Sequence, residues 1–136
     1  QGLQGEVVLQ HSWTMLVTLR LFLPKAVTGQ VRLSNVYGET SGTPLIGPPR
    51  LEANWTDDDL MALLPPHSYR MLTSTAEPYS LLLDTNQICL TTYRYYTKEF
   101  YIRALAFLAQ VAQKAMEINP QTIYWGRTRP VELPWM

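Results

Sequence analysis

Nucleophilic, redox and metal chemistry is most often built from histidine, cysteine and clustered carboxylates, and this chain offers few of each. His11 and His67 are the only histidines, each beside a serine, and Cys89 is the only cysteine. A Cys89–His67 nucleophilic pair would need the imidazole within hydrogen-bond reach of the sulfur. Cys89 instead stands between Ile88 and Leu90, where a small thiol behaves as a hydrophobe and belongs to the interior. One cysteine also forbids an intrachain disulfide and a cysteine-rich zinc site, and it fits a reducing compartment without requiring one. Asp57, Asp58 and Asp59 form the acidic cluster. Calcium loops alternate their ligands around a glycine turn, whereas three consecutive carboxylates diverge, so the run reads as the negative start of a helix capped by Thr56. Nothing fits the dinucleotide, P-loop, zinc-protease or nucleophile-elbow spacings. No catalytic residue, cofactor or metal ligand is assigned. Asn54-Trp55-Thr56 is a glycan acceptor triplet that matters only in a secreted chain.

The arginines carry more information. They make up eight of the eleven basic residues, and Arg20, Arg32, Arg70, Arg94 and Arg127 each fall in a segment that reads as a strand. On one sheet face they would form a guanidinium array with Tyr93, Tyr95, Tyr96 and Trp125 nearby. Such an array can clamp phosphates and stack bases, and the same residue types are enriched at protein interfaces. A solvated face whose arginine stems cover aromatic rings is the plain alternative. Eleven acidic residues balance the eleven basic ones, so the cationic surplus that drives nucleic-acid binding is missing and a protein partner is preferred. The partner-binding residues expected are Tyr93, Arg94, Tyr95, Trp125, Arg127 and, from an apolar C-terminal tail, Trp135.

The elements that must position these residues follow from periodicity. Met15, Val17, Leu19, Leu21 and Leu23 share one parity, which predicts a half-buried strand ended by Pro24. Val31, Leu33 and Tyr37 alternate with Gln30, Arg32 and Ser34, and the Thr28-Gly29 turn predicts that the two strands pair as a hairpin. Glu6 to Gln10 adds a short strand. Gly38 to Trp55 holds three glycines and three prolines and reads as a long loop, whose Leu45, Ile46 and Leu51 are expected to pack on the body or on a partner. Thr56 opens a short helix that Pro65-Pro66 ends. Ser68 to Thr75 reads as a strand with Tyr69, Met71 and Thr73 on one face. Tyr79–Leu83 and Ile88–Tyr96 flank Asp84-Thr85-Asn86-Gln87, a hairpin turn. Lys98 to Ile118 is the long helix, stopped by Asn119-Pro120, and Gln121 to Thr128 reads as a last strand before the tail.

The fold class expected is α+β: two layers, a curved antiparallel sheet of about six strands packed on one long C-terminal helix, in a single globular domain over residues 1–136. Residues 1–5 read as a disordered or tag-derived lead and 129–136 as an extended tail. The 136 residues, 46% of them hydrophobic, suffice for a core, and no apolar run reaches the ~18 residues that cross a bilayer.

Two functional expectations lead. One is a non-enzymatic adaptor or assembly module that grips a protein through the 38–55 segment, the Arg/Tyr face and the tail. The other is a carrier or enzyme with an apolar pocket between sheet and long helix, because five methionines and a broadly apolar helix make an adaptable cavity. Single-stranded nucleic-acid binding by the sheet ranks third. The long helix is too apolar around its circumference for one sheet to cover, so either the Leu45-Ile46 loop folds over it in a monomer or a second copy covers it in a homodimer.

Overall fold

The structure is a computed structural model that describes residues 3–11, 15–74, 77–118 and 127–136. In chain order the elements are β1 (Gln4–His11), β2 (Met15–Phe22), β3 (Gln30–Thr40), β4 (Thr43–Ala53), α1 (Asp57–Leu63), α2 (Pro66–Thr73), β5 (Tyr79–Asp84), β6 (Gln87–Thr92), α3 (Lys98–Ile118) and β7 (Arg129–Val131). The strands form one open antiparallel sheet in the order β1-β2-β6-β5-β3-β4-β7, and α3 packs on it. This is the expected α+β arrangement, with seven strands. No helix among the described residues is long and apolar enough to cross a membrane.

Parity decides which face is covered. Val17, Leu19 and Leu21 of β2 lie beside Thr92, Leu90 and Ile88 of β6, and the row continues through Tyr79, Leu81 and Leu83 of β5 to Val31 and Leu33 of β3 and Leu51 and Ala53 of β4. All of these are buried. Against them α3 sets Leu108, Val111, Ala112 and Ala115, an i, i+3, i+4, i+7 stripe. Each fully buried Leu or Ile in this layer contributes about 1.5–3 kcal/mol of burial.

The loop expected at Gly38 to Trp55 is instead the outer half of β3 and all of β4. Extended backbone tolerates the prolines there because Pro48 and Pro49 fall in the register shift between the Ser34–Arg50 and Val36–Ile46 pairs, and because β7 pairs only with Leu51–Ala53, which leaves the rest of that flank without ladder bonds among the described residues. Leu51 is buried, but Leu45 and Ile46 are each 48% exposed. They lie out on the hairpin rather than over α3. The flank of α3 is covered by α1, whose Leu60 and Leu63 are buried.

Three further expectations are corrected. β2 and β3 do not pair with each other: β6 and β5 lie between them. The residues after Leu23 pass beside the β5–β6 turn, with Leu23 N donating to Asn86 O at 2.7 Å and Val27 N to Thr85 O at 2.7 Å. Of the strand expected at Ser68 to Thr75, residues 68–73 are helical, within α2, where Pro66 sits at the helix start and only Tyr69 is buried; Thr75 lies outside the described residues. β6 stops at Thr92, so Tyr93 to Tyr96 are not strand. Most of the last strand expected, 121–126, lies outside the described residues, and the strand observed is Arg129–Val131.

The chain leaves the sheet at a corner built around Trp55, which is completely buried and donates Nε1–H to Thr28 O at 3.0 Å. Asn54 Oδ1 accepts from Gln30 N at 2.6 Å, so the glycan acceptor triplet is closed inside the fold. Arg129 Nη1 donates to Trp55 O at 2.8 Å and its Nη2 reaches Asp57 Oδ1 at 2.5 Å, tying β7 to the corner. Thr56 caps α1 as expected, accepting from Asp59 N at 3.3 Å. Gly29 completes the corner at φ +88°, and a Cβ there would stand 2.5 Å from Asn54 Oδ1 and 2.9 Å from the Trp55 ring. Gly29→Ala is expected to cost about 2 kcal/mol or more through φ strain and overlap. Leu45→Ser, by contrast, is expected to stay within about 0.5 kcal/mol of the parent. Urea unfolding of both variants checks the pair.

Candidate functional site: an apolar cavity between the sheet and two helices

An apolar cavity lies where α2 and α3 part above β5 and β6, and it holds about 320 Å³. α2 gives it Met71 and Leu72, the β5 lead-in gives Glu77 and Pro78, the sheet gives Tyr79, Leu90 and Thr92, and α3 gives Phe100, Arg103, Ala104 and Phe107. On α3 the residues 100, 103, 104 and 107 again follow i, i+3, i+4, i+7, one face of the helix. This stripe is separate from the buried 108, 111, 112, 115 stripe. Aromatic and aliphatic side chains dominate the wall, the usual character of a small-molecule pocket.

Its walls are fixed by specific bonds. β3 and β4 slip register between Ser34 and Gly38, and in that bulge Asn35 is buried, 2% exposed. Its amide donates Nδ2–H to Glu77 O at 2.9 Å and accepts from Tyr79 N at 2.9 Å. One side chain thereby sets the path of the segment that brings Glu77, Pro78 and Tyr79 to the cavity. On the other wall Thr97 caps α3, its Oγ1 accepting from Phe100 N at 3.1 Å. The Tyr101 hydroxyl accepts from Tyr96 N at 3.1 Å and donates to Arg94 O at 3.4 Å. Tyr96 stacks on Phe100 with ring centroids 4.5 Å apart.

Polar groups at the cavity are few. The Glu77 carboxylate accepts from Tyr96 Oη at 3.2 Å and pairs with Arg94 Nε at 3.1 Å, while the Arg94 guanidinium lies 4.5 Å from the Tyr96 ring centroid. The Tyr79 hydroxyl is buried with no hydrogen-bond partner among the described residues. Burial, with nearby Tyr69 adding to it, raises the Tyr79 phenol above its ordinary value of 10.0.

The residues expected from sequence to bind a partner do not form one patch. Tyr93 faces the opposite side of the sheet, where it lines a polar hollow of about 200 Å³ with Arg32, Arg50, Ser34, Ser80 and Glu52. Arg94 pairs with Glu77 at the apolar cavity. Tyr95 is 55% exposed, edge-on to Tyr101. Arg127 is exposed and lies outside any strand. Trp135 packs against the core beside Leu133, and Trp125 lies outside the described residues. The five-arginine array dissolves for the same reason: Arg20 pairs with Glu6 on the sheet face away from α3, Arg32 lines the polar hollow, and Arg70 is on α2. Cys89 is buried, and its ladder neighbours are Arg20 and Leu82, on the face opposite α2 and its exposed His67. The sheet separates the two. Among the described residues no group of three His, Cys, Asp or Glu could hold a metal ion. Sequence reasoning missed Met71, Leu72, Glu77, Arg103 and Phe107. A cation at 103 inside the apolar 100, 104, 107 stripe was the available signal.

Tyr79→Phe tests the orphaned hydroxyl. Below about pH 10 the phenol is neutral in both folded and unfolded chains, and above it only the unfolded chain ionises freely, so the fold loses stability as pH rises past that value. Unfolding in urea at pH 8 is expected to show the phenylalanine variant unchanged or up to about 1 kcal/mol more stable. At pH 10.5 its advantage is expected to widen.

Comparison of the chain with protein-family models, curated protein sequences and solved structures gave no match in any of the three. The functional reading accordingly rests on the geometry of the site.

Proposed function

We propose that this chain binds a small, mainly apolar molecule in the cavity between β5, β6, α2 and α3. The observation that carries the reading is an apolar-lined space of about 320 Å³, within the usual range for ligand pockets. Carrier or sensor is the role that fits, because the lining offers no nucleophile or general base in a relay. Glu77, Tyr79 and Thr92 are the polar groups from the sheet side, and Phe100 and Phe107 are aromatic walls.

The test is displacement of a neutral apolar dye, N-phenyl-1-naphthylamine, by decanol. The parent protein is expected to enhance dye fluorescence saturably, and decanol to reverse the enhancement. Ala104→Trp places an indole in the cavity and is expected to lower dye affinity at least about tenfold with the circular-dichroism spectrum retained. Equal binding by that variant would remove the reading.

A second reading, docking of a protein partner, is favoured by one observation: Tyr37, Leu45 and Ile46 are 43–48% exposed together on the β3–β4 hairpin, with Arg50 lying 3.8 Å from the Tyr37 ring centroid. An exposed aromatic ring under an arginine, with exposed aliphatic side chains on both faces of the same hairpin, has the residue types enriched at interfaces.

A further inference from the structure

Four positions of α3 face the cavity, and three of them, Phe100, Ala104 and Phe107, are what an apolar pocket needs. The fourth is Arg103. An arginine costs free energy at a dry wall, so its head must reach water or an anion. The other charged groups here are already committed: the Glu77 carboxylate is shared between Arg94 and Tyr96, and Arg94 lies over the Tyr96 ring. Arg103 is exposed and has no ion-pair or hydrogen-bond partner among the described residues. The charged residues of the lining are Glu77 and Arg103, and because Arg94 already pairs with Glu77, Arg103 is the lining cation left to meet an anion.

Resting on the pocket reading above, we propose that the ligand is an amphipathic acid, with its hydrocarbon part between Phe100, Phe107, Leu72 and Met71 and its carboxylate held by the Arg103 guanidinium. The fork of a guanidinium matches the two oxygens of a carboxylate, and such charge-assisted pairs are the strong ones. Size sets the rest of the class. At roughly 30 Å³ for each small group in a liquid, 320 Å³ takes a hydrocarbon part of about ten heavy atoms. A medium-chain monocarboxylate or a compact aromatic acid is of that size.

The experiment compares decanoate, decanol and decylamine as competitors of N-phenyl-1-naphthylamine on the parent protein, on Arg103→Gln and on Lys114→Ala. The last removes the same charge three turns farther along α3. Decanoate is expected to bind the parent most tightly and decylamine most weakly. Arg103→Gln is expected to lower decanoate affinity about tenfold, the equivalent of one charge-assisted bond, and to leave decanol within about twofold. Lys114→Ala is expected to change neither. If decanol competes but decanoate is indifferent to Arg103→Gln, or decylamine binds best, the acid assignment is overturned and the pocket stands. A Lys114→Ala loss equal to that of Arg103→Gln overturns it as well, because the effect is then a diffuse field. If no competitor displaces the dye, both the pocket reading and the assignment fall.

Discussion

A sheet with one apolar face must be roofed, and the width of the roof decides this structure. An α-helix is about 10–12 Å across, or two to three strand spacings of ~4.8 Å, and the sheet has seven strands. α3 therefore covers β2 and β6, and the remaining strands need other cover. α1 and the buried Leu133 supply it around Trp55, and α2 brings in Tyr69. Where the roof pieces are too short to meet, space is left. The cavity is the seam between α2 and α3, and at the far side β1 extends beyond the roof, so that Val7 and Leu9 remain 55% and 44% exposed on the face that is buried in β2 beside them.

Filling the seam with larger side chains would have closed it, and the chain does not do so. Ala104 stands between Phe100 and Phe107, and Asn35 spends both ends of a buried amide to hold the Glu77–Tyr79 segment open along the cavity. A buried amide that satisfies two backbone groups fixes a path that apolar packing alone would leave loose. The seam is thus a held shape, with its aromatic walls set by the Thr97 cap and the Tyr101 hydroxyl.

Legibility in the sequence tracks how many neighbours an element needs. The parity of Val17, Leu19 and Leu21, the Asp84–Gln87 turn and the span of α3 are local properties, and each lies where periodicity put it. α2 has a single buried residue, Tyr69, with Leu72 one turn on only partly buried, so its helical stripe is too short to read, and the alternation of Tyr69, Met71 and Thr73 imitates a strand. β4 was hidden because proline and glycine mark loops only when the strand beside them must donate on both sides. The pairing of β2 with β6 is non-local, set by shared burial and not by adjacency. The site needed the most neighbours: four elements line it, and only its α3 portion left a readable pattern. The polar side of the sheet was legible as composition but not as place, since Arg32 and Tyr93 line one polar hollow while Arg94 and Tyr95 lie away from it.

The prolines of β4 have one more consequence, which concerns the sheet as a template. An unpaired strand edge offers a row of N–H and C=O groups on which a foreign strand can grow. Pro44, Pro48 and Pro49 thin the donors of residues 43–50, and Pro130 lacks one in the three-residue β7. That margin cannot carry a continuous ladder. The hairpin can therefore hold Leu45, Ile46 and Tyr37 in water on an extended backbone without recruiting other chains into fibrillar stacking.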